Sequence, residues 1–437
     1  MVKAVWVLAL IIVSCRCLAV QADQRDTRFE VAAGAESIAE ITASAPSASW
    51  DKPGAEGTVA TVYVDGEYNQ DIALVQGASP MTYRIFLGPL RPGSHLLRVV
   101  RNDRWSAAAA DFKLDAVRVQ SVGSSSPEYR VIAHAPILYA RADTLGRFTD
   151  APLLMWYERF PRPDGEVIQY SIIYTNEDGG TETDALMARW GRTTDIEYVY
   201  RVTFDSAGNI RDELFQAPEH RDLHFQGRKL GQHPYFLDAT LNNVFLDGGY
   251  SPVQYRFVPV AADLTEHSRE EVMDRFPWTY KASAQEMQRE GKLRGPNSDK
   301  TAIADPRQYL YVELNADNRH HGASAVWVKL RNDSRWRSSH HGRLDLTVFR
   351  SGWFRTTVEL PAGTRAENIE TIAFECVDLR DPRVPNPGPP PDSVLHPGGK
   401  AFLLDADYRP GANILGPHEE VVVQPGEMLS LTVVRPQ

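Results

Sequence analysis

The chain has 437 residues, 57 acidic against 47 basic, for a net charge of −10. That length accommodates two to four domains at roughly 100–200 residues each, and the acidic balance argues against nucleic acid, whose phosphates call for a basic patch. Three cysteines exclude a disulfide-dense scaffold.

Residues 1–22 read as a secretory signal peptide: Lys3, an apolar run from Ala4 to Val13, then small residues at Val20-Gln-Ala22. The run is roughly half of the about 20 residues a spanning helix needs, and no comparable run occurs later in the chain, so a mature chain without a membrane span is expected, secreted or periplasmic. Ile12-Val-Ser-Cys15 also resembles the tripeptide that precedes lipidation, a weaker alternative to cleavage after Ala22. Cleavage removes Lys3, Arg16, Cys15 and Cys17, which takes the net charge from −10 to −12 and leaves Cys376 as the sole cysteine. An intramolecular disulfide is then impossible, and Cys376, within Ile372-Ala-Phe-Glu-Cys-Val377, reads as a buried structural thiol.

Strand signals dominate from residue 25 onward. Thr58–Val64 leads into the turn pair Asp65-Gly66, and Ser94–Val100 comes after a Gly/Pro turn, which is the spacing of a sandwich. Residues 25–118 are therefore expected to form a β-sandwich of immunoglobulin or fibronectin type, with 120–127 as a linker. A central sandwich is expected over 128–303. Its best alternating strand is Asp195–Phe204, where period two puts Ile196, Tyr198, Tyr200, Val202 and Phe204 on one face and Asp195 with Glu197 on the other. The helical stretch is placed at 263–293, split by Pro277. Strands resume over 304–437 at Gln308–Leu314, Ala325–Leu330, Leu344–Phe349, Arg355–Leu360 and Ile369–Val377, then Glu420–Gln424 and Leu429–Val434. Seven prolines between Arg380 and Gly399 mark 380–399 as a long loop. The fold class is all-β: multi-domain β-sandwiches with a short helical insertion, and no repeat of solenoid or propeller period.

The segment Tyr174–Thr181, with Asp184 and then Trp190–Glu197, concentrates carboxylates. Asp195 and Glu197, two apart on one strand face, are close enough to share a cation, and Asp184, or Asp178 beside Gly179-Gly180, completes a hard oxygen site for Ca²⁺ or Mg²⁺. The same pair suits general acid and base work, and it equally suits ion pairs with Arg189, Arg192 or Arg201 on a solvated face. The pairs His320-His321 and His340-His341 sit where turns are expected, and His220, His224 and His233 form a looser group near the carboxylates. No nucleophile elbow, phosphate loop or dinucleotide fingerprint is present. Trp156, Tyr157, Trp190 and Trp336 are candidates for stacking on sugars, and Asn332-Asp-Ser334 is a glycosylation sequon.

Gly191-Arg-Thr-Thr-Asp-Ile-Glu197 resembles the Gly-His-Arg-His-Asp-Trp-Glu heptapeptide of the necrosis-inducing secreted proteins and the Gly-Asp-Trp-Glu core of the vacuolar-sorting-associated proteins. His134-Ala-Pro-Ile-Leu-Tyr139, Gln232-His-Pro-Tyr-Phe236 and Asn242-Asn243 extend that resemblance over about 130–250. It implies a divalent cation held by Asp195 and Glu197 with Asp184 as the upstream aspartate. Both heptapeptide histidines are replaced, by Arg192 and Thr194, and the cytolytic activity of that family does not carry over. Two functional readings result. One is a non-catalytic binding or envelope-associated protein whose partner is carbohydrate or another envelope component; the alternative is a secreted polysaccharide hydrolase or lyase using the acidic pair.

Overall fold

A computed structural model describes residues 25–435 except 142, 143, 145, 178, 296, 297, 299, 382 and 385–387. The expected signal peptide, 1–22, and Asp178 lie outside the described residues. The chain is mostly β, arranged as successive pairs of sheets.

The first pair joins a four-stranded sheet (Arg25–Val31, Gly93–Arg101, Thr58–Val64, Glu67–Leu74) to a three-stranded one (Met81–Pro89, Glu36–Ser44, Lys113–Val122). Ile41, Val62, Leu97 and Val117 meet in the core between them. The Asp65-Gly66 turn is as the sequence indicates: both residues take positive φ, 53° and 87°, the requirement of a type I′ hairpin.

The central pair consists of a six-stranded sheet and a smaller one. The six strands run from Arg221–His224 through Ile210–Ala217, Ile196–Asp205, Gly165–Tyr174 and Pro152–Arg162 to Val260–Ala261. The smaller sheet is built on His233–Asp238, Ile137–Tyr139 and Gln254–Tyr255. Tyr170, Tyr200, Phe204, Phe236 and Phe245 fill the space between.

In the last pair, one sheet holds Gly352–Glu359, Tyr309–Arg319, Asp392–Leu403 and Val421–Val423. It packs against Trp336–Ser338, Gly322–Leu330, Ile369–Asp378 and Met428–Leu431. The core they enclose contains Leu310, Val312, Val326, Phe354, Phe374 and Cys376.

Four departures from the sequence reading have physical causes. Residues 263–270 are turns, and the helices are Glu271–Arg275 and Trp278–Arg289, broken at Pro277, which caps the second. Asp184 lies on a helix, Thr183–Trp190, not on a loop. Its Ala, Leu, Met and Arg residues favour helix, and Gly191 ends it in the left-handed conformation with φ 61°. Leu344–Phe349 is not a strand: Leu344–Leu346 form a 3₁₀ turn and Phe349 is exposed. The strand Asp392–Leu403 begins inside the proline-rich 380–399 segment. Its register against Tyr309–Arg319 jumps from His396 to Lys400, so Pro397 sits in a bulge with Gly398 and Gly399, where no ladder N–H is needed.

The helix Thr183–Trp190 ties the last sheets to the central ones: Thr356 and Thr357 hydroxyls donate to the Ala188 and Met187 carbonyls. Gly191 is required there twice over, by its positive φ and because a Cβ would come within 2.5 Å of the Arg355 side chain.

Candidate functional site

The strand Ile196–Asp205 does not alternate as its sequence suggests. Against Gly165–Tyr174, Ser171 faces Tyr198 but Tyr170 faces Tyr200, so Val199 is an extra residue in a bulge. Directly opposed residues share a face. Ile196 and Tyr198 therefore lie on one side, while Glu197, opposite Ile172, lies on the side of Tyr200, Val202 and Phe204. The acidic pair is also not on a solvated face: Asp195 and Glu197 are 2% and 6% exposed.

Loops converge on this pair. Asp195 accepts from Asn243 Nδ2 at 3.0 Å and from the Ile196 N–H at 2.8 Å. Arg192 stands 3.7 Å from Asp195 but is shared with Glu270, at 3.2 Å. Glu197 accepts from Gln216 and lies 3.7 Å from His220 Nδ1. Glu177 accepts from the Thr181 N–H at 2.7 Å. Asn242 bridges the two ends, accepting from His220 Nε2 at 2.9 Å and donating to the Glu177 carboxylate. Glu219 and His220 both have positive φ, 65° and 54°, a strained pair of the kind that surrounding structure must hold in place.

The electrostatics are those of too much negative charge. Burial, then Glu197 and Glu177, raise the Asp195 carboxyl far above the carboxylate range. Burial likewise lifts Glu177 to about 7, against the pull of Arg192. The Glu197 carboxylate beside it raises the pKa of His220. Three buried oxygens in this region, Tyr174 Oη, Asn176 Oδ1 and Asn243 Oδ1, have no hydrogen-bond partner among the described residues. Carboxylates and amide oxygens are the donor set of a hard cation, although among the described residues no three ligand atoms, one each from Asp195, Glu197 and Glu177, all lie within 4.8 Å of one another.

The remaining sequence candidates are dispersed. Asp184 turns to Arg343, at 2.6 Å, and Glu177 occupies the place expected for it beside the pair. His233 is fully buried on Ala135 and stacked on Phe86, and His224 is exposed with Asp212. His320 and His321 form an exposed turn. Trp156 is in the core, and Trp190 is covered by the guanidiniums of Arg189 and Arg350. Trp336 is 38% exposed and borders an open cleft of about 760 Å³ with Trp327, Arg294, Arg337, His341 and Glu359. Glu177 is not among the residues that spacing alone selects, although it stands beside Asp178 in the same carboxylate-rich segment.

Among the described residues, one tighter acidic group exists: the ligand atoms of His267, Glu271 and Glu313 all lie within 4.8 Å of one another. Lys400 and Arg355 already supply its positive charge.

No protein-family profile and no curated protein matches the chain. Partial likenesses among solved structures include a family two carbohydrate esterase from Clostridium thermocellum in complex with cellohexaose, at 13% identity over 28% of this chain and TM-score 0.16. The aligned part spans 32% of that esterase's length. A family 35 carbohydrate binding module from an environmental isolate aligns at 15% identity over 24% of this chain and 73% of its own, TM-score 0.18. The EclA C-terminal domain, a sugar-binding protein, aligns at 16% over 26% of this chain and 89% of its own, TM-score 0.16. These are weak resemblances to carbohydrate-binding and esterase domains, and at such scores they carry no argument about this chain. No described helix is long and apolar enough to cross a membrane.

Proposed function

We propose that the chain is a non-catalytic binding protein acting outside the cytoplasm, secreted or periplasmic, whose central sandwich holds Ca²⁺ or Mg²⁺ through Asp195, Glu197 and Glu177. The observation that carries this reading is the buried carboxylate group with orphaned oxygens around it. Charge removed from water must be neutralised by a proton or a cation, and Arg192 is divided between two carboxylates. A cation bound there ties the loops of Glu177, His220 and Asn242 together.

The ligand class we assign is carbohydrate, at the Trp336 cleft. An exposed indole face bordered by guanidinium, imidazole and carboxylate groups supplies a stacking platform with hydrogen-bonding groups at its edge. Affinity electrophoresis through soluble polysaccharides is expected to retard the parent and not Trp336→Ala; equal mobility of the two in every gel overturns the assignment.

One observation favours the hydrolase or lyase reading: Glu177, lifted to about 7, is a carboxylic acid able to donate a proton near neutrality. Polysaccharide cleavage by the parent that Glu177→Gln abolishes would establish it, and cleavage undiminished in that variant would remove it.

A further inference from the structure

Where the first sandwich meets the central one, the edge strand Met81–Pro89 approaches the segment 253–260 without pairing along its length. The two touch through an isolated bridge, Ile85 with Phe257, and through two backbone bonds: Phe86 N–H to the Arg256 carbonyl at 3.0 Å and Val258 N–H to the Arg84 carbonyl at 3.1 Å. Beside that contact lies a partly open pocket of about 290 Å³. Its walls come from four separate stretches of chain: the first sandwich, the strand Pro152–Arg162, the segment 255–260, and the start of the helical insertion. Met81, Leu154, Phe257, Val260, Phe276 and Trp278 all leave their apolar side chains half-buried there.

The size is about twice the ~150 Å³ of an engineered apolar cavity that stays dry and holds benzene. That suits a single alkyl chain and is too small for a polypeptide element. Three charged residues reach the lining. Asp71 is engaged by Thr61, Tyr68 and Asn102, and Arg256 donates to the Leu87 carbonyl at 2.6 Å. Arg84 differs: its side chain is 40% exposed, which places it at the rim, and its Nε stands 3.4 Å from Glu40. An apolar slot with a cation at its mouth has the charge and shape of one class of ligand.

We propose that this pocket binds a small anionic amphiphile, a medium-chain fatty acid, with its alkyl chain between Leu154, Phe257 and Trp278 and its carboxylate at Arg84. The pocket shares no residue with the Asp195 group or the Trp336 cleft, so the proposal stands apart from the cation and carbohydrate readings.

The test is titration of delipidated protein with decanoate, followed by calorimetry and by the fluorescence difference between the parent and Trp278→Phe. Saturable binding at one site is expected. Ala73→Phe, which fills the pocket from the strand Glu67–Leu74, should weaken it at least about tenfold, and 1-decanol or Arg84→Ala should each lose about tenfold, the worth of one charge-assisted hydrogen bond. Val260→Asp, at a half-buried position, provides a second pocket variant should Ala73→Phe fail to fold. Absence of saturable decanoate binding to the parent overturns the proposal. So does parent-like binding by either pocket variant with a native circular dichroism spectrum, and parent-like binding of 1-decanol overturns the role of Arg84.

Discussion

Two of the buried acidic groups among the described residues are treated in opposite ways. Around Glu313, the charges balance: Arg355 reaches Glu313 at 2.8 Å and Asp274 at 2.7 Å, Lys400 reaches Asp274 at 2.6 Å, and Ser268 and His267 complete the Glu313 hydrogen bonds. Burial opposes ionisation of Glu313, yet Arg355, His267 and Lys400 hold it at about 2. Around Asp195, burial and neighbouring carboxylates push in the same direction, and Glu177 rises to about 7. A buried acidic cluster is thus a finished ion-pair network when its cations are built into the chain, and on our proposal a cation site when they are not.

The largest effect is expected from breaking the finished network. Arg355→Met leaves Glu313 and Asp274 buried without their guanidinium and should cost about 3–5 kcal/mol in denaturant unfolding; a loss below about 1 kcal/mol would mean the two groups are not different in kind. The pH dependences should have opposite signs. Glu177 has a folded pKa of about 7 against an ordinary 4.5, so the folded state holds the extra proton. Its contribution is full below the unfolded value and is lost as pH rises from 4.5 to about 7, by on the order of 3 kcal/mol. Glu313 has a depressed folded pKa, so its contribution is present above 4.5 and is lost as pH falls toward about 2. Unfolding in EDTA between pH 2 and 9 reads both arms, and Glu177→Gln should shrink the upper one, to which Asp195 also contributes, and leave the lower one unchanged.

Next in size is the response to cation. At pH 8, Ca²⁺ or Mg²⁺ at 100 times its dissociation constant should stabilise the parent by about 2.7 kcal/mol, with no gain for Asp195→Asn combined with Glu197→Gln. Identical midpoints for the parent with cation and with EDTA would sink the cation assignment. The smallest effect is that double substitution in EDTA alone. It removes buried charge without changing shape, so stability should stay within about 1 kcal/mol of the parent or rise.

The strands are largely legible in the sequence because β-branched and aromatic runs between turn residues need little tertiary context. Thr58–Val64 with its Asp65-Gly66 turn shows this. The short helix Thr183–Trp190 is harder to see although its residues favour helix, because the acidic residues around it have the look of a ligand loop. Leu344–Phe349 alternates like a strand, but within it only Val348 bridges to a neighbour, Ser324, and Phe349 is exposed. For the site, spacing is enough to single out Asp195 and Glu197. Their burial, the substitution of Glu177 for Asp184, and the division of Arg192 between two carboxylates all depend on loops distant in sequence, and no local pattern encodes them.

The Val199 bulge bears on how this chain is compared with others. A residue that occupies length without advancing the ladder behaves, in any strand-by-strand superposition, as an insertion. Pairing Ile196–Asp205 with an unbulged strand through its first residues matches Glu197 correctly and then sets Tyr200 against residues of the opposite face. Aligning through Tyr200 and Phe204 instead displaces the Gly191–Glu197 motif by one position. A gap at Val199 is the one arrangement that keeps both the motif and the core in register.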